Sequence, residues 1–264
     1  MKADQLFNVT GQVALVTGAA SGLGLAMSEV MAANGAHVAL LDVNGPALEK
    51  VTATLRAAGC SVEPIEIDVA DTDRLRSCID SIAASRGRLD AVFANAGISA
   101  GPNYRTEAGQ IENVALDRWE KVLHVNLTSV FVTVQGAAVH MKQQKSGRII
   151  VTASIAGLRA DRMVGYGYAT TKAAVINLVR QAALELAPYN VLVNAIAPGP
   201  FWTNIGDGKL YREPEFVKTF EAMVPLGRMA QPDELKGLAL FLASPASSFV
   251  TGTVIPIDGG ITAG

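Results

Sequence analysis

Cysteine and histidine are scarce in this sequence. Two cysteines, Cys60 and Cys78, and three histidines, His37, His124 and His140, are spread along 264 residues. Two thiols cannot make a disulfide framework, and no spacing matches a zinc site or H-E-x-x-H. No metal is expected. The net charge is −2 and no block of Lys or Arg stands out, which argues against a nucleic-acid partner. No uninterrupted apolar run approaches the ~18 residues of a membrane span, so no membrane partner is expected. The N-terminal MKADQLFNVTGQ lacks the apolar centre of a signal peptide. The chain therefore reads as soluble and cytoplasmic.

What is present is apolar sequence in short blocks, half of all residues being hydrophobic. QVALVTG (12–18), AHVALLD (36–42), SVEPIEIDV (61–69), RLDAVFANAG (88–97), GRIIVTAS (147–154), NVLVNAIAPG (190–199) and GTVIPIDGG (252–260) read as strands. Pro64 suggests an imperfect or bulged start to the third. Helical stretches separate them, at about 23–34, 46–58, 72–86, 116–143, 166–187 and 232–244. Residues 200–231 look irregular, with a short helix. The strands are continuous apolar runs rather than alternating ones, as expected of strands covered on both faces. Strand–helix alternation then predicts an α/β fold, a Rossmann-type doubly wound parallel sheet, in one domain over residues 1–264.

TGAASGLG (17–24) follows the first strand and opens a helix. Gly18, Gly22 and Gly24 allow a tight turn and a close backbone approach to a pyrophosphate, with Ser21 and Leu23 between them. The helix N-terminus offers N–H groups to that anion. A purely structural turn has the same composition. Asp42 ends the second strand, where a carboxylate can accept hydrogen bonds from both ribose hydroxyls and repel a 2′-phosphate. No Lys or Arg nearby would attract such a phosphate, so NAD is expected over NADP. Asp42 as a mere turn cap is the alternative. Asp68 and Asn95 end later strands, as crevice-lining residues or as turn formers.

GYGYATTKAAV (165–175) carries the candidate chemistry. Residues four apart share a helix face, so Lys172 serves Tyr168, while Tyr166 points elsewhere, to packing or to the substrate wall. A phenol ionises near pH ~10, and a nearby ammonium favours the phenolate. Lowering it to ~7 requires about 4 kcal/mol. Tyr168 then exchanges a proton with an alcohol or ketone oxygen, which Ser154, ending the fifth strand, holds by a hydrogen bond. Asn126 lies inside a long apolar helix and must be satisfied there, by a water or by an ordinary buried contact.

Together these motifs resemble the short-chain dehydrogenase/reductase family over nearly the whole chain. TGAASGLG is similar to its cofactor turn, Asp68-Val69 to its adenine-contacting pair, and Asn95-Ala96-Gly97 to its fourth-strand motif. Asn126, Ser154, Tyr168 and Lys172 match its catalytic four. PGPFWT, with Pro198, Gly199, Phe201 and Thr203, is similar to its nicotinamide-side loop, and DGG at Asp258 to its C-terminal signature. The resemblance implies that Lys172 also binds the nicotinamide ribose, that Asn126 positions a relay water and that Thr203 holds the carboxamide. The Ser154–Tyr168 spacing is at the long end for the family. The helix after Lys172 is apolar nearly all round, which suggests a second docked surface. With the family's habit of pairing helices across two-fold axes, it implies a homo-oligomer, a tetramer.

The expected activity is NAD-dependent hydride transfer between a secondary alcohol and its ketone. The candidate substrate walls, 98–103, 155–158, Tyr166 and 200–224, are mostly apolar, with Phe201 and Trp202 adding bulk. They suit apolar, cyclic or aromatic alcohols. The alternatives are a 3-oxoacyl-carrier-protein reductase, an epimerase or dehydratase on the same scaffold, and an NAD-binding regulatory protein without turnover.

Overall fold

A computed structural model describes residues 2–205 and 214–264. Seven strands form one sheet: β1 (Val13–Thr17), β2 (His37–Asp42), β3 (Val62–Glu66), β4 (Ala91–Ala94), β5 (Gly147–Thr152), β6 (Val191–Pro198) and β7 (Val254–Ile257). Their order is β3-β2-β1-β4-β5-β6-β7, and every pairing is parallel. The helices are α1 (Ala3–Leu6), α2 (Gly22–Ala33), α3 (Gly45–Ala57), α4 (Thr72–Arg86), α5 (Leu116–Leu123), α6 (Ser129–Gln144), α7 (Tyr166–Leu186), α8 (Pro214–Met223) and α9 (Lys236–Ala243).

Alternate residues of each strand feed two separate cores, which is why the strands carry no polar face. Val13 and Leu15 of β1, Ile149 and Val151 of β5 and Val193 of β6 pack with Leu75, Ile79, Met141, Val175 and Val179 of α4, α6 and α7. Ala14 and Val16, Phe93, Ile150 and Ile196 pack on the other side with Met27, Met31, Leu48 and Leu242, from α2, α3 and α9.

The sequence order reverses between β1 and β4, so the two neighbouring chains leave the sheet in opposite directions there. A crevice opens outside the carboxyl ends of the strands at such a point. Thr17, Asp42, Asn95, Thr152, Ser154 and Pro198 all stand at or just beyond those ends.

Three local expectations are revised. Pro64 makes no bulge. The Ile67 N–H donates to the Asp42 carbonyl, and the Ser61 carbonyl accepts from Val38. Odd-numbered residues of this edge strand therefore bond β2, and Pro64, lacking an N–H, faces away from the ladder. The helix expected over 116–143 is continuous but not uniform, because a π-turn, His124–Thr128, joins α5 to α6. That composite helix, Leu116–Gln144, is long and apolar enough to cross a bilayer, with a mean hydropathy of 1.5. More than half of its apolar window is buried inside the protein, where it packs on α4, α7 and the sheet. Finally, α7 is not apolar all round: Asn177, Arg180 and Gln181 interrupt its outer face, while Leu184 lies 76 % exposed.

Candidate active site

The glycine turn is built for close approach. Gly18 and Gly22 have φ of +68° and +54°, where side chains are strained. Gly24 is required by contact: a Cβ there would lie 2.0 Å from the Gly18 carbonyl oxygen. Ser21 is the N-cap of α2 but its side chain makes no cap hydrogen bond, so the helix's first N–H groups are not claimed by it. That donor set at a helix start suits a pyrophosphate. Asp42 braces the turn, accepting from the Ala20 N–H with one oxygen and from the Asn44 N–H with the other, both at 2.9 Å. Thr203 folds back over the same turn, 3.4 Å from where a Gly22 Cβ would lie.

Asn95 is committed to the scaffold. Its Nδ2 donates to the Thr17 carbonyl at 3.0 Å, and its Oδ1 accepts from Thr152 Oγ1 at 3.0 Å. The Thr17 hydroxyl in turn accepts from the N–H groups of Asn95 and Ala96. One side chain thus ties the ends of β1, β4 and β5. Asp68 is exposed and accepts from the Ala70 N–H at 2.9 Å, closing a turn beside the buried Val69.

Lys172 is 3 % exposed. Its Nζ donates to the Thr152 carbonyl at 2.7 Å and lies 5.6 Å from the centroid of the Tyr168 ring. The shared face expected from the spacing is realised. Burial pushes the ammonium pKa down from 10.5 to about 8, because the charged form loses water. Gly97 lies beside this arrangement: a Cβ there would sit in ordinary contact, 3.4 Å from Asn126 Oδ1 and 3.7 Å from Lys172 Nζ.

Asn126 is wholly buried in the π-turn. Its amide bonds both backbone groups of Ile98, accepting from the N–H and donating to the carbonyl, each at 2.8 Å. The partner left open in the sequence is therefore main chain. Ser154 caps a 3₁₀ turn, Ile155–Gly157, and its Oγ accepts from the Ala156 N–H at 3.2 Å. Gly157 packs against the Lys172 backbone, where a Cβ would come within 2.5 Å of the carbonyl carbon.

One wall assignment changes. Phe201 adds no bulk to a substrate wall: it pairs with Ala230 and its ring is buried in the core with Leu235 and Ala239. Tyr166 lines a cleft of ≈ 210 Å³ with Trp119, Arg118 and Pro102. Ser154, Tyr168 and Lys172 are not part of that cleft. Of the 200–224 wall, 206–213 lie outside the described residues. Pro198 ends β6, and the Gly199 N–H donates to the Ile257 carbonyl at 3.0 Å, anchoring the loop that carries Thr203.

Thr17 and Thr152 were not singled out by the motifs. A trace existed: both are polar residues at the carboxyl end of otherwise apolar strands, and Thr152 precedes Ser154 by two.

Residues 18–262 match the family model described as Enoyl-(Acyl carrier protein) reductase. The cyclohexanol dehydrogenase of Rhodococcus sp. (strain TK6) is 35 % identical, with 96 % of each chain covered. The 3-oxoacyl-[acyl-carrier-protein] reductase FabG of Thermotoga maritima is 34 % identical over 95 % of this chain and 98 % of its own. A short-chain type dehydrogenase/reductase from Mycobacterium marinum superposes with a TM-score of 0.89 at 36 % identity, covering 98 % of this chain and 99 % of that one. A likeness that runs from the glycine turn to the C-terminal residues, in sequence and in backbone alike, places this chain in the short-chain dehydrogenase/reductase family of oxidoreductases.

Proposed function

We propose that the protein is an NAD-dependent dehydrogenase of apolar, cyclic secondary alcohols, working without a metal. One observation carries the reading: a buried ammonium, held by the Thr152 carbonyl, lies one helical turn from Tyr168 and against its ring. Nicotinamide dinucleotides are the cofactors of this family, and the bound ring supplies hydride exchange with the carbinol carbon. The protein's residues manage the oxygen. Tyr168 takes the hydroxyl proton during oxidation and returns one during reduction. Lys172 favours the phenolate by its charge and has two N–H protons beyond the one given to Thr152. Ser154 orients the substrate oxygen. Asn126, pinned to Ile98, keeps the backbone beside Gly97 and Lys172 in place.

The preference for NAD rests on Asp42. Its two backbone bonds use one acceptor position on each oxygen, which leaves others for ribose hydroxyls. The cyclic class rests on the apolar residues around Ser154, Ile155 and Ala156, and on the likeness to a cyclohexanol dehydrogenase. The likeness to FabG supplies the second reading, an NADPH-dependent 3-oxoacyl reductase. We further propose a cytoplasmic location, and a homotetramer on the strength of the exposed apolar residues Phe131, Val139 and Leu184 on α6 and α7.

The test mixes the protein with NAD⁺ or NADP⁺ and a panel of alcohols, and separately with NADH or NADPH and a 3-oxoacyl thioester, following the absorbance of reduced nicotinamide. Oxidation of cyclohexanol with NAD⁺ is the expected result. Activity confined to NADPH and 3-oxoacyl thioesters would favour the second reading. A thermal shift with NAD⁺ but no turnover with any substrate would favour a binding protein.

A further inference from the structure

Apart from the two large cores, one small apolar cluster stands alone among the described residues. It consists of Ile155, Val224 and Ile261, each 5–6 % exposed. Three distant segments meet there. Ile155 follows Ser154 and opens the 3₁₀ turn. Val224 follows the last residue of α8. Ile261 belongs to a final 3₁₀ turn, Ile261–Ala263.

The junction is tightly specified. Gly259 has φ +63°, and a Cβ there would lie 2.5 Å from Val224 Cγ1. Gly260 has φ +96°, and its Cβ would lie 3.2 Å from Pro225 Cγ. The Leu226 N–H donates to the Gly259 carbonyl at 3.2 Å. Asp258 holds the turn closed, accepting from the N–H groups of Gly260 and Thr262 at 2.9 Å and from the Thr262 hydroxyl at 2.6 Å. A Gly199 Cβ would lie 2.8 Å from the Asp258 Cα, so the same turn abuts the loop that carries Thr203. No side chain can be added at Gly199 or Gly259 without moving α8's end or the cofactor-side loop.

We infer that Ile261 is a specificity-determining residue, acting through Val224 and Ile155 to set the width of the apolar wall beside Ser154 and hence the alcohol ring that is accepted. The inference rests on the proposed oxidation of cyclic alcohols. A β-branched side chain at 261 fills the gap between α8's end and the 3₁₀ turn, so shortening it lets both settle outward. Gly259 and Gly260 fix the backbone that presents it. Ile261 acts through its neighbours Ile155 and Val224, as a positioning residue.

The test compares wild type, Ile261→Ala and Ile261→Leu in the NAD⁺-bound enzyme, over cyclopentanol, cyclohexanol and cyclooctanol. Ile261→Ala is expected to raise the kcat/KM ratio of cyclooctanol to cyclopentanol about tenfold, the scale of a changed methylene fit. The change should fall mainly on KM, NAD⁺ affinity should be unchanged, and Ile261→Leu should stay near the wild-type ratio. An equal loss for every ring, or a lowered Tm with the ratio unmoved, would overturn the inference and leave Ile261 as packing alone. Should wild type oxidise no ring alcohol, the functional reading fails by itself. Hydrogen exchange then decides the wall: Ile261→Ala must accelerate exchange together at Gly157, Leu158, Leu226 and Gly227 while α4 stays protected. Unchanged exchange at those amides would overturn it.

Discussion

At the scale of single residues, the active site is a matter of which charges are dry. Burial opposes the charge on Lys172: lowering its pKa from 10.5 to about 8 corresponds to about 3 kcal/mol. The sign follows from proton counting. Between pH 8 and 10.5 the unfolded chain binds more protons at this position than the native protein, so native stability rises with pH across that window. Below pH 8 the whole cost is present. Lys172→Met should therefore be inactive and yet, at pH 7, about as stable as wild type or more so. Its stability advantage should shrink as the pH approaches 10 in parallel denaturant titrations; a difference that stays flat with pH would refute the burial argument. Asp42→Ala should narrow the discrimination between NAD⁺ and NADP⁺ by about tenfold or more in kcat/KM. It should also loosen the glycine turn, because the Ala20 N–H loses its acceptor. The nearness of Tyr168 and Lys172 was legible from their four-residue spacing. The Thr152 carbonyl was not, because backbone acceptors leave no mark in side-chain patterns.

At the scale of elements, strand positions and helix limits followed the apolar runs and the glycines. The π-turn did not. It arises where Asn126 reaches across to both backbone groups of Ile98, a contact 28 residues distant in sequence. Periodicity reports one face of a helix and is blind to one extra residue in a turn. Asn126→Ala would leave the partly buried N–H and carbonyl of Ile98 without their partner, at about 2 kcal/mol, which for a chain of this size lowers Tm by about 4–8 °C. Calorimetry checks this, and a Tm within a degree of wild type would contradict the π-turn account. Phe201 misled for a related reason. Its bulk suggested a wall, but the bridge to Ala230 turns its ring into the core.

At the scale of the whole molecule, a parallel sheet with two cores leaves its carboxyl edge as the place where loops from every crossover meet. That architecture was readable from continuous apolar strands, since a one-faced sheet would have alternated. The proposed assembly is less directly encoded. The exposed side of α7 mixes Arg180 and Gln181 with Leu184, and α6 adds Phe131 and Val139. An interface formed from these residues makes Leu184→Glu separate the oligomer. Light scattering at micromolar concentration should give a tetramer for wild type and a smaller species for the variant; a monomeric wild type would exclude the assembly.

The proton account is tested most directly by the initial rate of NADH formation from cyclohexanol, measured for wild type and Tyr168→Phe alongside NAD⁺ binding. The account predicts turnover in wild type, a loss of about 100-fold or more in the variant, and equal NAD⁺ affinity in both. A variant that keeps most of its rate would mean that another group carries the proton.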